Sequence, residues 1–295
     1  MKRFFLAVLG CLLLICCGCE DFASGSPEYV AHTEEHTYEI CAGGYRLVSA
    51  GLRYREDSAV SIPSQYNGQP VVAIGQDAFG GFSNMKTVEI PNTVTEIHKR
   101  AFAGCTALDH VRIPDSVVTI QGGAFMNCTA LEDITFGRGI LSIEGECFKG
   151  CTALREFVFP ETVTEVRGNC FENCTSLKKI TLHENITAIH GYAFANCTAL
   201  AEIVLPAGIT EIRGNTFENC RSLQEIAIPT GVTRIAAYAF CGCTALAQVY
   251  VPDTVQEIGS SAFRDCSSLK IIVLPQTALV DDRAFKNSPT EIQYR

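Results

Sequence analysis

Basic residues are in short supply in this sequence. It has 23 lysines and arginines against 32 aspartates and glutamates, which gives a formal net charge of −9. Proteins hold phosphate backbones with clustered Lys and Arg side chains that displace counterions. No repeat or segment of this chain gathers such a cluster. The composition therefore argues against nucleic acid as a partner.

A hydrophobic run long enough to cross a membrane is also missing. The extended apolar segment near the start runs only from Phe4 to Cys17, whereas a transmembrane helix needs about 20 apolar residues. Lys2 and Arg3 precede this segment, and acidic residues follow it at once. That order of charge and hydropathy is typical of a secretory signal peptide that is removed after export. We therefore expect an exported protein without a permanent span.

Motifs of enzyme active sites are absent as well. The sequence has no nucleophile elbow, phosphate loop or paired-carboxylate site, and its six histidines share no repeat column that would converge on one pocket. Residues His32 to His36 match the H-x-x-E-H pattern of a metalloprotease family. They adjoin a polar segment without a matching downstream acid, so we interpret them as a solvated linker. We expect no catalytic residue, metal, cofactor or small-molecule substrate; a hydrolase with a hidden site is the alternative.

What the sequence does contain is a repeat of 23 residues. A cysteine recurs at this interval, with phenylalanine three residues before it and leucine three residues after it. The repeated cysteines are Cys105, Cys128, Cys151, Cys174, Cys197, Cys220, Cys243 and Cys266.

Each repeat predicts one coil of a solenoid. Val111 and Ile113 alternate with polar residues as in a short strand, and Pro114 ends that strand. Val117 and Ile120 then return the chain beneath the core. A single unit cannot bury its apolar side chains, whereas stacked copies share a continuous core. The prediction is a right-handed coil with one short parallel strand per unit, rich in β-structure and with little regular helix.

The repeated cysteines are expected to be buried thiols. Adjacent members of one column would lie about 5 Å apart, but their side chains point the same way, which disfavours disulfides. Cys147 and Cys170 occupy the position that Ala101 and Ala124 hold in other repeats, which indicates small packing residues. A zinc site is disfavoured because its tetrahedral ligands normally converge from different loops.

The phrase A-F-x-x-C-x-x-L-x-x-I-x-I-P, as in Ala101 to Pro114, carries a family resemblance. It resembles the BspA-like leucine-rich repeats of treponemal and Bacteroides surface antigens, over about residues 45–295. The resemblance implies an interaction protein that takes part in attachment and has no catalytic activity.

The end of the apolar segment, Leu14-Ile15-Cys16-Cys17-Gly18-Cys19, resembles the lipobox of bacterial lipoproteins. The resemblance implies that Cys19 becomes the lipidated N-terminus and anchors the chain to a membrane. Cys16 stands where such boxes usually have leucine, so Cys16 and Cys17 stay open as lipidation sites. Ordinary signal cleavage near residue 23 is a further alternative.

These observations divide the chain into five predicted segments. Residues 1–18 form the lipoprotein signal peptide, and residues 19–44 form the lipid anchor and a flexible tether. Residues 45–82 hold an N-terminal cap and an irregular first repeat. Residues 83–284 form the tandem repeats, and residues 285–295 a closing strand.

One strand position in each repeat should face solvent, because it lies between two core positions. The column begins with charged side chains at Glu89 and Arg112 and becomes more apolar toward the C-terminus. We call its C-terminal part the stripe, and its members are Val158, Thr181, Val204, Ala227, Tyr250 and Val273. The neighbouring exposed column is mostly polar, with Glu156, Glu202 and Glu225 among its members.

An apolar stripe bordered by carboxylates is typical of a protein-binding face. The sequence therefore predicts an exported lipoprotein of the bacterial cell envelope that binds host or bacterial proteins in adhesion. A periplasmic scaffolding lipoprotein is the alternative, and whether the array faces outward or into the periplasm stays open. The high strand propensity of Val and Thr is a competing explanation for the stripe.

Overall fold

The computed structural model describes residues 35–295, which form a solenoid of about 11 coils. The described residues contain no α-helix, only one 3-10 helix at Leu52–Glu56. The repeat solenoid with short parallel strands that the sequence predicts is confirmed, but most coils contain two such strands and not the single strand expected. In chain order the strands are β1 (Thr37–Cys41), β2 (Gly44–Ser49), β3 (Ala59–Ser61), β4 (Gln65–Tyr66), β5 (Gln69–Ile74), β6 (Thr87–Glu89), β7 (Glu96–Ile97), β8 (His110–Ile113), β9 (Thr119–Ile120), β10 (Asp133–Phe136), β11 (Ser142–Ile143), β12 (Glu156–Val158), β13 (Glu165–Val166), β14 (Lys179–Thr181), β15 (Ala188–Ile189), β16 (Glu211–Ile212), β17 (Glu225–Ala227), β18 (Arg234–Ile235), β19 (Gln248–Tyr250), β20 (Glu257–Ile258), β21 (Ile271–Leu274), β22 (Leu279–Val280) and β23 (Glu291–Tyr294).

Two strand ladders run along the solenoid. The front ladder contains the strand that follows the repeated leucine in each coil, and it pairs as β3-β6-β8-β10, β12-β14, β17-β19 and β21-β23. The back ladder contains the second strand of each coil, and it pairs as β2-β5-β7-β9-β11, β13-β15 and β16-β18-β20-β22. Both ladders are interrupted between β10–β11 and β12–β13, and again between β14–β15 and the coil that contains β16. The front ladder is also open between the coil of β16 and β17, and between β19 and β21.

A third ladder, the turn ladder, is continuous along the tandem repeats. The N–H of each repeated phenylalanine donates to a carbonyl of the next coil, as from Phe102 to Ala124, over 2.8–2.9 Å. The phenyl rings of Phe79 through Phe285 stack with centroids 5.1–5.8 Å apart. Stacked aromatic pairs add packing energy to the large apolar area that they bury. This side of each coil therefore holds the array together without interruption.

The repeated cysteines belong to the turn ladder. Each thiol donates to the carbonyl of the phenylalanine in the preceding coil, as from Cys128 to Phe102 O, over 3.1–3.2 Å. All eight side chains are fully buried, and every described cysteine is a free thiol. The prediction of buried thiols is thus confirmed. Burial raises the pKa of Cys266 to about 12, and Cys170 in the adjoining column is shifted to a similar value.

The residue before each repeated cysteine adopts a left-handed conformation, which favours asparagine or glycine. Asn173, Asn196 and Asn219 all have positive φ. Their amides form a short ladder, in which Asn196 Nδ2 donates to Asn173 Oδ1 at 3.0 Å and Asn219 Nδ2 donates to Asn196 Oδ1 at 2.9 Å. These asparagines therefore have a structural role in the turns.

The structured part of the chain begins earlier than the sequence indicates. The predicted tether extends through residue 44, but Thr37–Cys41 form strand β1, which pairs antiparallel with β2. The tether prediction is wrong for these residues, because the strand gains hydrogen bonds and aromatic contacts on the first coil. Tyr38 stacks on Tyr66 with ring centroids 4.2 Å apart. Tyr66 precedes a tight turn at Asn67 and Gly68, whose φ values are +50° and +74°.

His36, part of the metalloprotease-like pattern, is a residue of this N-terminal cap. Its ring stacks on Tyr54 at 4.2 Å, and its Nδ1 accepts a hydrogen bond from Gly51 N–H at 3.0 Å. Burial lowers the pKa of His36, and the nearby Arg53 guanidinium lowers it further. His32, the other histidine of the pattern, lies outside the described residues.

The cap should lose stability in mild acid. Because the pKa of His36 is lower in the folded state than its ordinary value of 6.5, the unfolded chain binds the proton more tightly. The contribution of His36 to stability is therefore fully present above pH 6.5 and is lost as the pH falls through its folded-state pKa. Hydrogen exchange of β1 amides between pH 7.5 and 5 measures this effect. His36→Phe, which keeps a stacking ring without a titrating nitrogen, should show a smaller dependence, and equal dependences would contradict the assignment.

The ladder thiols should resist alkylation in the native protein. Thiolates are the reactive species, and burial both raises the thiol pKa and blocks access. At pH 8, mass spectrometry after iodoacetamide treatment should find modification at the partly exposed Cys41 and Cys241, and none at Cys174 or Cys197. The same treatment in denaturant serves as the control, because all four should then react. Native labelling of Cys174 at the rate of Cys41 would show that the ladder is not closed to solvent.

Candidate protein-binding face

The structure places every member of the predicted stripe on the solvent side of the front ladder. Val204 is 83% exposed, Val158 63% and Tyr250 58%. Val158 lies beside Thr181 in the β12–β14 pair, and Ala227 lies beside Tyr250 in the β17–β19 pair. Val204 lies between these pairs in a segment without strand pairing.

The alternation that exposes the stripe also fixes it rigidly to the core. Ile203 and Leu205, which flank Val204, are each only 8% exposed, and Val249 and Val251 flank Tyr250 in the same way. Because the inward side chains are packed between neighbouring coils, the outward ones cannot turn into the core. The stripe is therefore a preformed apolar surface.

A polar border follows the stripe along its strand-start side. Glu156 lies beside Lys179 in the β12–β14 pair, and Glu225 lies beside Gln248 in the β17–β19 pair. These side chains are exposed, as is Glu202 in the unpaired segment. The exception in this polar border is Ile271, an apolar residue that is 50% exposed.

The back ladder presents a different surface, in which charges pair with one another. Arg234 contacts Glu211 at 2.8 Å and Glu257 at 3.1 Å, so it bridges two neighbouring coils. Similarly, His190 Nε2 lies 3.0 Å from Glu165 Oε2. Surface ion pairs of this kind stabilise only weakly, but they leave few uncompensated groups for a partner. The apolar stripe on the front is thus the stronger candidate for binding.

Two grooves cut into the front face, and sequence reasoning missed both. The central groove has a volume of about 720 Å³ and lies between β10 and β12, lined by residues 133–138 and 156–162. The C-terminal groove, of about 550 Å³, lies between β19 and β21 and is lined partly by Tyr250, Val273 and Arg295. Both grooves thus adjoin members of the stripe.

The signal for the central groove is a local change in side-chain volume. Phe136, Phe157 and Phe159 stand where most other coils have valine, isoleucine or leucine. Gly137 stands where most other coils have the proline that ends the front strand. The larger rings and the missing proline are visible in the sequence, but their effect on strand pairing is not.

Among residues 35–295, no group of three or more His, Cys, Asp or Glu side chains could hold a metal ion. In the same part of the chain, no helix is long and apolar enough to cross a membrane. Cys19, the predicted lipidation site, lies outside the described residues.

Solved structures with the same architecture come from bacterial leucine-rich repeat proteins. A leucine-rich cell surface protein from Faecalibacterium prausnitzii A2-165 matches with a TM-score of 0.61 at 27% identity, over 90% of this chain and 87% of that chain. A leucine-rich repeat protein from Bacteroides ovatus matches in fold with a TM-score of 0.57 at 22% identity, over 90% of this chain and 91% of that chain. No curated protein matches the chain.

The repeat itself identifies the family. Residues 59–178 and 164–291 match the BspA type leucine-rich repeat region, in six copies. This range includes most of the coils and the whole stripe. Leucine-rich repeat proteins of this type are typically non-enzymatic and present broad surfaces. The chain therefore belongs to the BspA-type leucine-rich repeat family.

Proposed function

We propose that this chain is a non-catalytic lipoprotein of the bacterial cell envelope that binds other proteins through the stripe on its front face. The observation that carries the proposal is the row of exposed apolar side chains along the front face, with Val204 at 83% exposure. Fully burying a side chain of this size stabilises a complex by about 1.5–3 kcal/mol. Several such side chains in one row, with carboxylates beside them, supply both affinity and register.

Adhesion to host or bacterial surface proteins is the role that we propose for this binding. The signal-peptide pattern and the lipobox around Cys19 support export and a lipid anchor. The similar protein from Faecalibacterium prausnitzii is described as a cell surface protein, which supports display outside the cell. A periplasmic scaffold with the same stripe is the alternative, and the two differ in where the array is exposed.

Photo-crosslinking in producing cells tests the stripe. A photoreactive amino acid in place of Val204 should give adducts with another protein. The same replacement at Leu141, which is 61% exposed on the back face, is the matched control and should give few. Adding Tyr250→Asp to the Val204 probe should lower the adduct yield about tenfold, because burying an unpaired carboxylate in the interface costs at least 1.4 kcal/mol. Equal adducts from both positions, or a yield unaffected by Tyr250→Asp, would contradict the proposed face.

Protease treatment of intact cells tests the location. We expect residues 45–295 to be degraded while a soluble periplasmic protein in the same cells stays intact. That result places the array outside the cell, as adhesion requires. Full protection, with degradation only after the outer membrane is permeabilised, would overturn the adhesin proposal in favour of periplasmic scaffolding.

A further inference from the structure

Two coils in the middle of the array are joined differently from most of their neighbours. They are residues 131–153, with β10 and β11, and residues 154–176, with β12 and β13. The front strands of these coils are not paired with each other, and neither are their back strands. The turn ladder continues between them, with Phe148 N–H donating to Cys170 O at 2.9 Å. Of the three ladders, only the turn ladder joins these coils.

Pairing between the two coils is already absent at the residues just before β10 and β12. One coil further on, Lys178 N–H donates to Arg155 O at 2.8 Å. In the described chain, no backbone bond of this kind joins Arg155 to Glu132, and their side chains approach only to 3.8 Å. β10 and β12 therefore present facing edges that lack ladder pairing with each other.

Large aromatic side chains fill the inner side of this interface. Phe157 contacts Phe136 in a T-shaped arrangement with ring centroids 5.5 Å apart, and it also packs against Phe148 at 5.1 Å. These rings occupy space that smaller aliphatic side chains leave free in most coils. Gly137 and Gly139 let their coil lie close to the preceding coil. A Cβ at either position would lie 2.4 Å or less from backbone atoms of Asp115 in that coil. The coil is thus drawn toward one neighbour and held away from the other.

We infer that the central groove binds an extended polypeptide segment of a partner protein, which adds as a strand between β10 and β12. A peptide backbone is the chemical group that offers both donors and acceptors at the spacing of a strand edge. The facing edges offer such a partner backbone groups that are not paired with each other. The groove volume of about 720 Å³ is sufficient for a few residues in extended form.

The groove lining specifies the side chains of this segment. Its floor is apolar, with Phe157 and Phe159 nearly fully buried beneath it, so every second side chain of the bound strand should be apolar. Three carboxylates, Asp133, Glu156 and Glu161, line the groove against the single guanidinium of Arg138. Asp133 is paired with His110. The other two carboxylates outnumber the single guanidinium, so the groove has an excess of negative charge. A basic residue in the partner segment complements that excess.

The interface can widen for an inserted strand without losing strand pairs. Both strand ladders are already open there, and the turn ladder remains as the hinge. The bond from Thr162 Oγ1 to Ile140 O is a side-chain contact that crosses the opening and would have to break. The C-terminal groove lacks this freedom. Its back strands β20 and β22 are paired, and Arg295 Nη2 donates to Val251 O across it at 2.6 Å.

This inference rests on the proposed function of protein binding, and it names one site and one class of partner. The probe is a phage-displayed library of nine-residue peptides selected on the full chain. We expect enrichment of sequences that alternate apolar and polar residues and include a basic residue. An enriched peptide, made synthetically, should lose at least about tenfold in affinity when alternate backbone nitrogens are methylated, because methylation removes the donors that a strand edge requires.

A groove variant and a direct measurement complete the test. Phe136→Ile with Phe157→Ile restores aliphatic side chains, should let β10 pair with β12, and should lower peptide affinity at least about tenfold. Leu141→Asp on the back face is the control and should leave it unchanged. Should the double variant not fold, hydrogen exchange on the unaltered chain decides, because bound peptide should protect amides of β10 and β12. Enriched peptides that tolerate methylation and protect neither strand, or no enrichment at all, would overturn the inference.

The outcomes separate this inference from the proposed function. Crosslinking at Val204 does not depend on the groove, because Val204 lies outside its lining. Adducts at Val204 without groove-dependent peptide binding would overturn the inference and leave the stripe in place. Groove binding without adducts at Val204 would support the inference and contradict the stripe.

Discussion

The turn ladder is the constraint on which the rest of the structure depends. Each phenylalanine from Phe79 to Phe240 donates its N–H to the next coil, accepts a thiol hydrogen bond from that coil at its carbonyl, and stacks its ring on the next phenylalanine. At Phe263 the hydroxyl of Ser288 takes the place of the thiol. One position of each repeat thus provides a backbone hydrogen bond, a hydrogen-bond acceptor and aromatic packing. Because these contacts continue without a break along the tandem repeats, the strand ladders do not have to carry the whole array.

Because the turn ladder joins the coils, the front strands do not all have to pair with one another. A sheet that holds a core together has to pair along its full length, and its openings would be defects. Here the front ladder opens at several junctions between coils, one of them beside Phe136 and Phe157, while the coils stay joined by their turns. The result is a ladder that presents both a rigid apolar stripe and a groove with unpaired strand edges, and both features suit the binding of another protein.

The two faces differ because their outward side chains differ. On the back, charged residues of adjacent coils neutralise each other, as Arg234 does with Glu211 and Glu257. On the front, Val158, Val204 and Tyr250 project apolar surface at more than half of their full exposure. Exposed apolar area gains free energy when a partner covers it, whereas a compensated charge gains little. The front is therefore the face that we propose for binding.

The sequence by itself determined the repeat, the buried cysteines and the exposed stripe, because a period of 23 combined with strand alternation leaves one arrangement of inside and outside. Tertiary structure alone decided which neighbouring strands pair. Pairing between β10 and β12 depends on the summed volume of Phe136 and Phe157 from two different coils, and on how closely Gly137 approaches a third. In the same way, strand β1 inside the predicted tether forms only because the first coil offers it an edge to pair with.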